Sequence, residues 1–291
     1  GDMGLDFKVN DNDQVTYFDK QEEFWISMSR TMFETDTVQC ANNLLTDYHD
    51  IRFLPSGGYI LQAYQQIIID MSNLENGYEN ALVQQLVIQE FNSDDEVVFE
   101  WVASDHLEIY YYTNLNLTAP EISWMHGNSI EIDWDQNLIL SNRASSEVLK
   151  IHRVTGEVIW VWGGPLNEFE IIDDPLGGFS KQHDVRRLEN GNILMFDNGT
   201  EHSPQISRVL EYNLDEDDKT AELVWEYIHP AELVGGAMGS SQRLSNGNTL
   251  INWGTLNTEG AIITEVDYDQ NILLEIRYPL EFKSYKVRKS D

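Results

Sequence analysis

Three stretches of this chain begin on a histidine and run through a strand-like segment, a turn and a second strand-like segment: HDIRFLPSGGYIL from His49, HGNSIEIDWDQNLILS from His126 and HDVRRLENGNILMFDNG from His183. A fourth, SSQRLSNGNTLINWG from Ser240, keeps the pattern without the histidine. The starts lie 77, 57 and 57 residues apart. Self-similarity at such a period marks a repeat array in which equivalent positions recur in space. The expectation is that three imidazoles face one point.

Each unit divides into four short strands separated by turn residues. In the third unit these are residues 128–133, 138–142, 148–152 and 158–162, with Asp135-Gln136-Asn137 and Thr155-Gly156 as turns. The fourth repeats the order through 184–188, 193–197, 208–213 and 223–227, and Asn190-Gly191 and Asn246-Gly247 supply residues that accept positive φ at matching turns. The final strands align as EVVF, EVIW and ELVW, so Phe99, Trp160 and Trp225 are expected in the core between neighbouring units. An earlier unit without the histidine fits residues 5–38, and residues 279–291 are left for closure or another unit. Four strands per repeat and five clear units predict an all-β chain, a β-propeller of four-stranded blades.

Composition narrows the partners. Fifty acidic against 18 basic residues give a net charge of −32, which repels nucleic acid and anionic membrane surfaces. No apolar run approaches the roughly 20 residues of a membrane helix, so no membrane insertion is expected. Cys40 is the one cysteine; it permits no internal disulfide and is read as a small buried hydrophobe. The opening Gly1-Asp2-Met3-Gly4 carries no signal peptide.

In a propeller the first strand of each blade lines the axis, so His49, His126 and His183 are expected at one end of it. Asn128 lies two residues after His126, on the same strand face if the strand is regular, and Arg143 follows the second strand of that unit. One guanidinium fork, one amide and three imidazoles suit a tetrahedral oxyanion, with histidine as nucleophile, acid or base. A catalytic zinc is the competing use of three histidines, but no local ligand motif supports it and Arg143 would oppose a cation. The acidic runs at Asp133-Trp134-Asp135, Asp215 to Asp218 and Asp267-Tyr268-Asp269 lack the calcium-loop pattern and read as solvated turns. Gly235 to Gly239 reads as a tight backbone approach, and the tyrosines at 110–112 as either a stacking platform or packing under a loop.

The run HGNSIEID, LILSNR, KIHRVTGEVIWVWGG and FSKQHDVRRLENGNILMFDNG, between His126 and Gly199, resembles the arylsulfotransferase family, with DYHDIRFLPSGG and SQRLSNGNTLINWGT as flanking blades. The resemblance implies transfer of a sulfuryl group from a phenolic sulfate ester to an acceptor phenol, without phosphoadenosine phosphosulfate and with no cofactor. It implies that His183 is the nucleophile, carrying the group as sulfohistidine, and that His126, Asn128, Arg143 and His49 bind substrate and stabilise charge. His49 or His126 would protonate the departing phenolate. It further implies a periplasmic or extracellular location and a six-bladed family fold. Residues 1–291 are then one propeller domain, which leaves room for an N-terminal portion outside this stretch. A non-catalytic propeller that presents loops to a partner, and a metal-dependent hydrolase, are the alternatives.

Overall fold

In a computed structural model, which describes residues 4–10 and 12–290, each repeat folds as one antiparallel sheet and the first hairpin of every sheet turns in the same way. In that turn the fourth residue donates its N–H to the carbonyl of the first: Asp13 to Asn10, Gly57 to Leu54, Gln136 to Asp133, Gly191 to Leu188 and Gly247 to Leu244, all at 2.9–3.0 Å. The donor has positive φ each time, from 64° at Asp13 to 93° at Gly57. Glycine holds three of the five positions because it has no Cβ to clash there. The Gly1–Met3 opening lies outside the described residues.

The sheets follow in chain order. The first is β1 (Gly4–Val9), β2 (Val15–Asp19), β3 (Phe24–Met28) and β4 (Glu34–Val38); the second is β5 (Leu45–Phe53), β6 (Tyr59–Ile69), β7 (Ala81–Phe91) and β8 (Val97–Val102), with β9 (Glu121–Ser123) added parallel to β7. The third is β10 (Gly127–Ile132), β11 (Leu138–Asn142), β12 (Glu147–Ile151) and β13 (Val158–Gly163). The fourth adds β14 (Glu170–Ile172), parallel to β18, to β15 (His183–Arg187), β16 (Ile193–Asp197), β17 (Arg208–Asp215) and β18 (Thr220–Ile228). The fifth is β19 (Ser240–Arg243), β20 (Thr249–Asn252), β21 (Ile262–Val266) and β22 (Ile272–Arg277). Each main path is a meander with its first strand at one edge, which is the construction of a propeller blade. No helix among the described residues is long and apolar enough to cross a membrane.

The chain falls into two compact units. One holds the residues up to Ser145 with Leu149–Trp160 and Gly164–Leu166; the other holds Ser146–Val148, Val161–Gly163 and the residues from Asn167 onward. Within each, a buried carboxylate on a first strand reaches the first strand of the next sheet. Asp50 of β5 accepts the Ile130 N–H at 3.0 Å, and Asp184 of β15 accepts the Ser241 N–H at 3.2 Å. Beyond β22 the chain runs beside β19 without forming a strand, held by Val287 N–H to Ser240 Oγ at 3.0 Å and by paired bonds between Gln242 and Lys289 at 2.8 and 3.0 Å.

Trp160 and Trp225 are buried as the alignment requires, but Phe99 is only half-buried. Arg243 covers the Trp225 ring at 4.7 Å, whereas a groove lined by Glu90, Gln136 and Arg153 opens over Phe99. The core residue of that strand is Trp101, fully buried two positions on, with its indole N–H donated to Gly156 O at 3.1 Å. The reading of the acidic runs also needs one correction. Asp133 is buried and paired with Lys150 Nζ at 2.8 Å, because Lys150 is itself sequestered on β12 and takes Asp135 as a second partner at 2.9 Å. Asp215 and Asp267 do cap turns, each accepting backbone N–H groups at 2.8–3.0 Å. Cys40 is buried, and loss of solvation pushes its thiol up to about 12.

Gly235 to Gly239 is a tight approach: a Cβ on Gly235 would sit 2.2 Å from Trp253 O, and one on Gly239 2.5 Å from the Phe196 ring. The tyrosine run divides, with Tyr111 exposed and its two neighbours packed under the connection. Tyr112 is fully buried against Trp124, and Tyr110 donates to Asp70 O at 2.6 Å. Trp101→Ala should cost about 3–5 kcal/mol of stability and Phe99→Ala no more than about 2 kcal/mol. Urea denaturation of the two variants reads the difference.

Candidate active site

The first strands do not keep their registers where the selected residues sit. In β5, Thr46 pairs with Ala63 and the ladder resumes only at Ile51 with Leu61, so residues 47–50 leave it. In β10 the register shifts between Gly127 and Ser129. That bulge interrupts the alternation expected to put His126 and Asn128 on one face. Bulges re-aim side chains next to functional sites.

The residues released from β5 form a buried polar cluster in the first unit. His49 Nδ1 lies 2.7 and 2.9 Å from the two Asp47 oxygens, and Asp47 also accepts the His49 N–H at 2.8 Å and Gln62 Nε2 at 2.7 Å. Burial by itself would raise the Asp47 pKa. The charge of His49 and the bonds from His49 and Gln62 outweigh it and hold the carboxyl below its usual range. Asp47 is therefore an anion, and the hydrogen on His49 sits on Nδ1. Tyr48 stacks on the His49 ring at 4.2 Å, and the His126 ring meets it edge-on at 4.8 Å.

His126 is held by its backbone. Its N–H donates to Asn142 Oδ1 at 2.8 Å and its carbonyl accepts the Arg143 N–H at 2.9 Å, while Gln62 Nε2 and Tyr64 Oη both donate to Gly127 O, at 2.7 and 3.0 Å. Burial first, then the positive charges of His49 and Arg143, push the His126 pKa down to about 3 against the opposing pull of Asp47. This imidazole is neutral at any working pH. The structure thus brings His49, His126 and Arg143 together, with Asn128 fully buried two residues along β10.

His183 belongs to the second unit, at the head of β15. A bulge follows it, with His183 opposite Phe196 and Arg186 opposite Leu194, and Asp184 takes the left-handed conformation at φ 60°. His183 Nδ1 is 2.6 Å from Asn198 Oδ1. The Asn198 amide is oriented from its other side, since Nδ2 donates to Gly235 O at 2.6 Å and to Met238 O at 3.1 Å. Its oxygen can only accept, so Nδ1 carries the hydrogen and Nε2 the lone pair when the ring is neutral.

The neighbouring residue anchors this arrangement. Asp197 accepts the Ser180 and Gly199 N–H groups, both at 2.9 Å, and Arg208 Nε at 2.9 Å. Arg208 is fully buried and also binds Asp174 and Glu226, both at 2.8 Å. Asp174 sits in the connection after β14, so this pairing ties that loop to the floor beneath Asn198.

A family model described as Arylsulfotransferase (ASST) matches residues 5–286. The chain belongs to the arylsulfotransferase family. That membership supports aryl sulfotransferase activity in general, with small-molecule aryl sulfate and phenol as substrates. No protein of curated function matches the chain in sequence. Among solved structures it is similar to a protein of unknown function from Bacteroides caccae, at 12% identity, TM-score 0.57 and coverage of 98% of this chain and 84% of that one. It is also similar to the β-propeller domain of Cps50 (Swd1) from Myceliophteria thermophila, at 9% identity, TM-score 0.54 and coverage of 98% and 88%. A third likeness is to virginiamycin B lyase from Staphylococcus aureus, at 9% identity, TM-score 0.51 and coverage of 98% and 72%. At such identities these structures speak for the propeller fold alone, and that fold is the one expected from the repeat.

Asp47, Gln62 and Asn198 are the contributors that the family's motif and the repeat did not bring forward. A signal for Asn198 was present: an asparagine closes the second strand of three repeats, as Asn142, Asn198 and Asn252. Asn252 Nδ2 donates to Ser284 O and Tyr285 O, at 3.2 and 3.0 Å, just as Asn198 does to its own following segment. Among the described residues no group of three or more His, Cys, Asp and Glu side chains is placed to hold a metal ion.

The depressed His126 pKa has a signed consequence for stability. The unfolded chain protonates this residue near 6.5 and the folded chain only near 3, so stability is complete above pH 6.5 and falls as pH drops toward 3. Between pH 6.5 and 5 the loss should reach about 1–2 kcal/mol. Thermal melting at stepped pH should show the decline in the native chain and a smaller one in His126→Gln.

Proposed function

We propose that this chain transfers a sulfuryl group from a phenolic sulfate ester to an acceptor phenol through a sulfohistidine at His183. The observation that carries the reading is the fixed tautomer: Asn198 takes the Nδ1 hydrogen and leaves Nε2 with its lone pair. The Nε2 lone pair attacks sulfur, the N–S bond forms as the S–O bond to the aryl group breaks, and the phenolate leaves with a proton from a general acid. The acceptor phenol then gives its proton back to the conjugate base of that acid, its oxygen attacks the same sulfur, and the N–S bond breaks to release His183.

His49, with its ring held through Nδ1 by Asp47, is assigned the acid role. His126, whose pKa is pushed down to about 3, is assigned to hydrogen bonding. Arg143 and Asn128 are assigned by the family resemblance to the sulfuryl oxygens, where donors stabilise developing charge. Variants of Arg143 test its part in transfer.

A non-catalytic scaffold draws on one observation: His183 is 2% exposed, with its ring held against an amide oxygen. Incubation with a chromogenic phenyl sulfate and a second phenol separates the readings. His183→Ala should abolish transfer and the mass increment of one sulfuryl group while the melting temperature holds. Full transfer in that variant would remove His183 from the nucleophile role. Asn198→Leu should lower kcat about a hundredfold through loss of ring orientation. Arg143→Lys should also weaken transfer, because a point charge does not replace the planar fork.

A further inference from the structure

We propose that the C-terminal segment is a working part of the donor site: it brings Lys286 and Arg288 to the flank of His183, where with Arg186 they draw in and hold the sulfate ester anion. The inference rests on the reading of His183 as nucleophile and adds to it residues that the histidine motif does not contain.

The argument begins with charge. A chain of net charge −32 repels an anionic ester on approach, so a site for one needs a local field of opposite sign. Five of the 18 cations fall in the last fifteen residues, as Arg277, Lys283, Lys286, Arg288 and Lys289. The segment that bears them is placed by a set of hydrogen bonds. Tyr285 O accepts the Gly239 N–H at 3.1 Å and Asn252 Nδ2 at 3.0 Å, Val287 N–H meets Ser240 Oγ at 3.0 Å, and Lys289 N–H meets Gln242 Oε1 at 2.8 Å. Ser240 is the repeat position at which the other three starts carry histidine.

The cations converge on the residue next to the nucleophile. Asp184 is fully buried, pairs with Arg186 Nη2 at 3.0 Å and with Arg288, and lies within the field of Lys286. Burial opposes its ionisation, yet the charges of Arg288, Arg186 and Lys286 hold it far below the ordinary carboxylate range. Asp184 is thus an anion gathered among three cations. It also sits in the left-handed conformation inside the bulge that follows His183, so the same contacts that steady the bulge place positive charge beside the attacking ring.

The test measures ester affinity apart from turnover. In the His183→Ala background, which cannot form the covalent intermediate, calorimetry follows para-nitrophenyl sulfate binding at several salt concentrations. Adding Lys286→Gln and Arg288→Gln should weaken binding about tenfold and flatten its salt dependence. Arg288→Lys should keep most of the affinity, whereas a purely structural clamp would lose it with the fork. Unchanged affinity and salt slope in the double variant, or no ester binding to the His183→Ala chain at all, would overturn the proposal. Should melting show the double variant unfolded, Lys286→Gln alone decides, with an expected loss of about threefold. Absence of transfer by the unaltered chain would count against the His183 mechanism and leave this binding result standing by itself.

Discussion

A strand in register must alternate its side chains between two faces, and this fold breaks that rule where its chemistry begins. Among the first strands of the sheets the breaks lie in β1, β5, β10 and β15, while β19, whose repeat lacks the histidine, pairs Ser240 through Arg243 with Asn252 through Thr249 without interruption. A bulge sacrifices ladder bonds and must be supported by other contacts. Here the support is a carboxylate with a cation two residues on: Asp6 with Lys8 at 2.7 Å in β1, and Asp184 with Arg186 in β15. Lys8 reaches Asp50 of β5 as well, at 2.7 Å. Asp6, Lys8, Asp50 and Asp184 are buried and Arg186 is half-buried, so the ion pair and the bent backbone depend on one another.

That dependence explains where the scarce cations go. Of the 18 basic residues in a chain with 50 acidic ones, Lys8, Lys150 and Arg208 are buried, and each faces two or more carboxylates. A buried cation with one partner removed leaves an uncompensated charge, which costs about 3–5 kcal/mol. With several partners the charge is shared and the surrounding loops are fixed together. Arg208 does this for Asp174 of one connection and Asp197 beneath the His183 partner. The few buried cations are thus placed among buried carboxylates, and a basic surface segment such as the C-terminal stretch is a local exception.

Strand order, hairpin turns and repeat boundaries were legible in the sequence because they depend on local chemistry. The LPSG, LENG and LSNG turns and the alternating strands carry their own signals, and the observed elements agree with them to within one or a few residues at most ends. What depended on distance was not legible. Phe99 and Trp101 share a strand and a face, and only the groove over the outer end of the strand tells which is core. Asp133 reads as a turn acid until Lys150, on a different strand, is seen to bury it. Asn198 carries a repeat signal, but its value lies in two carbonyls from a segment nearly forty residues on. Two of the three cations around Asp184, Lys286 and Arg288, arrive from more than a hundred residues away, beyond any pattern that a repeat alignment would expose.

The histidines show how one residue type is driven to separate tasks by what it faces. Asp47 faces His49 with a full negative charge, Asn198 faces His183 with a neutral oxygen, and His126 meets backbone groups, another imidazole and a guanidinium. A carboxylate partner favours the doubly protonated ring, an amide partner fixes a tautomer without favouring charge, and a cationic neighbour in a dry setting forbids the second proton. In the proposed mechanism these three environments are given the roles of acid, nucleophile and neutral hydrogen-bonding group. Exchange of the partners alone, with every histidine left in place, would reassign them. The chemistry of the repeat therefore resides less in the recurring histidine than in the residue each bulge turns toward it.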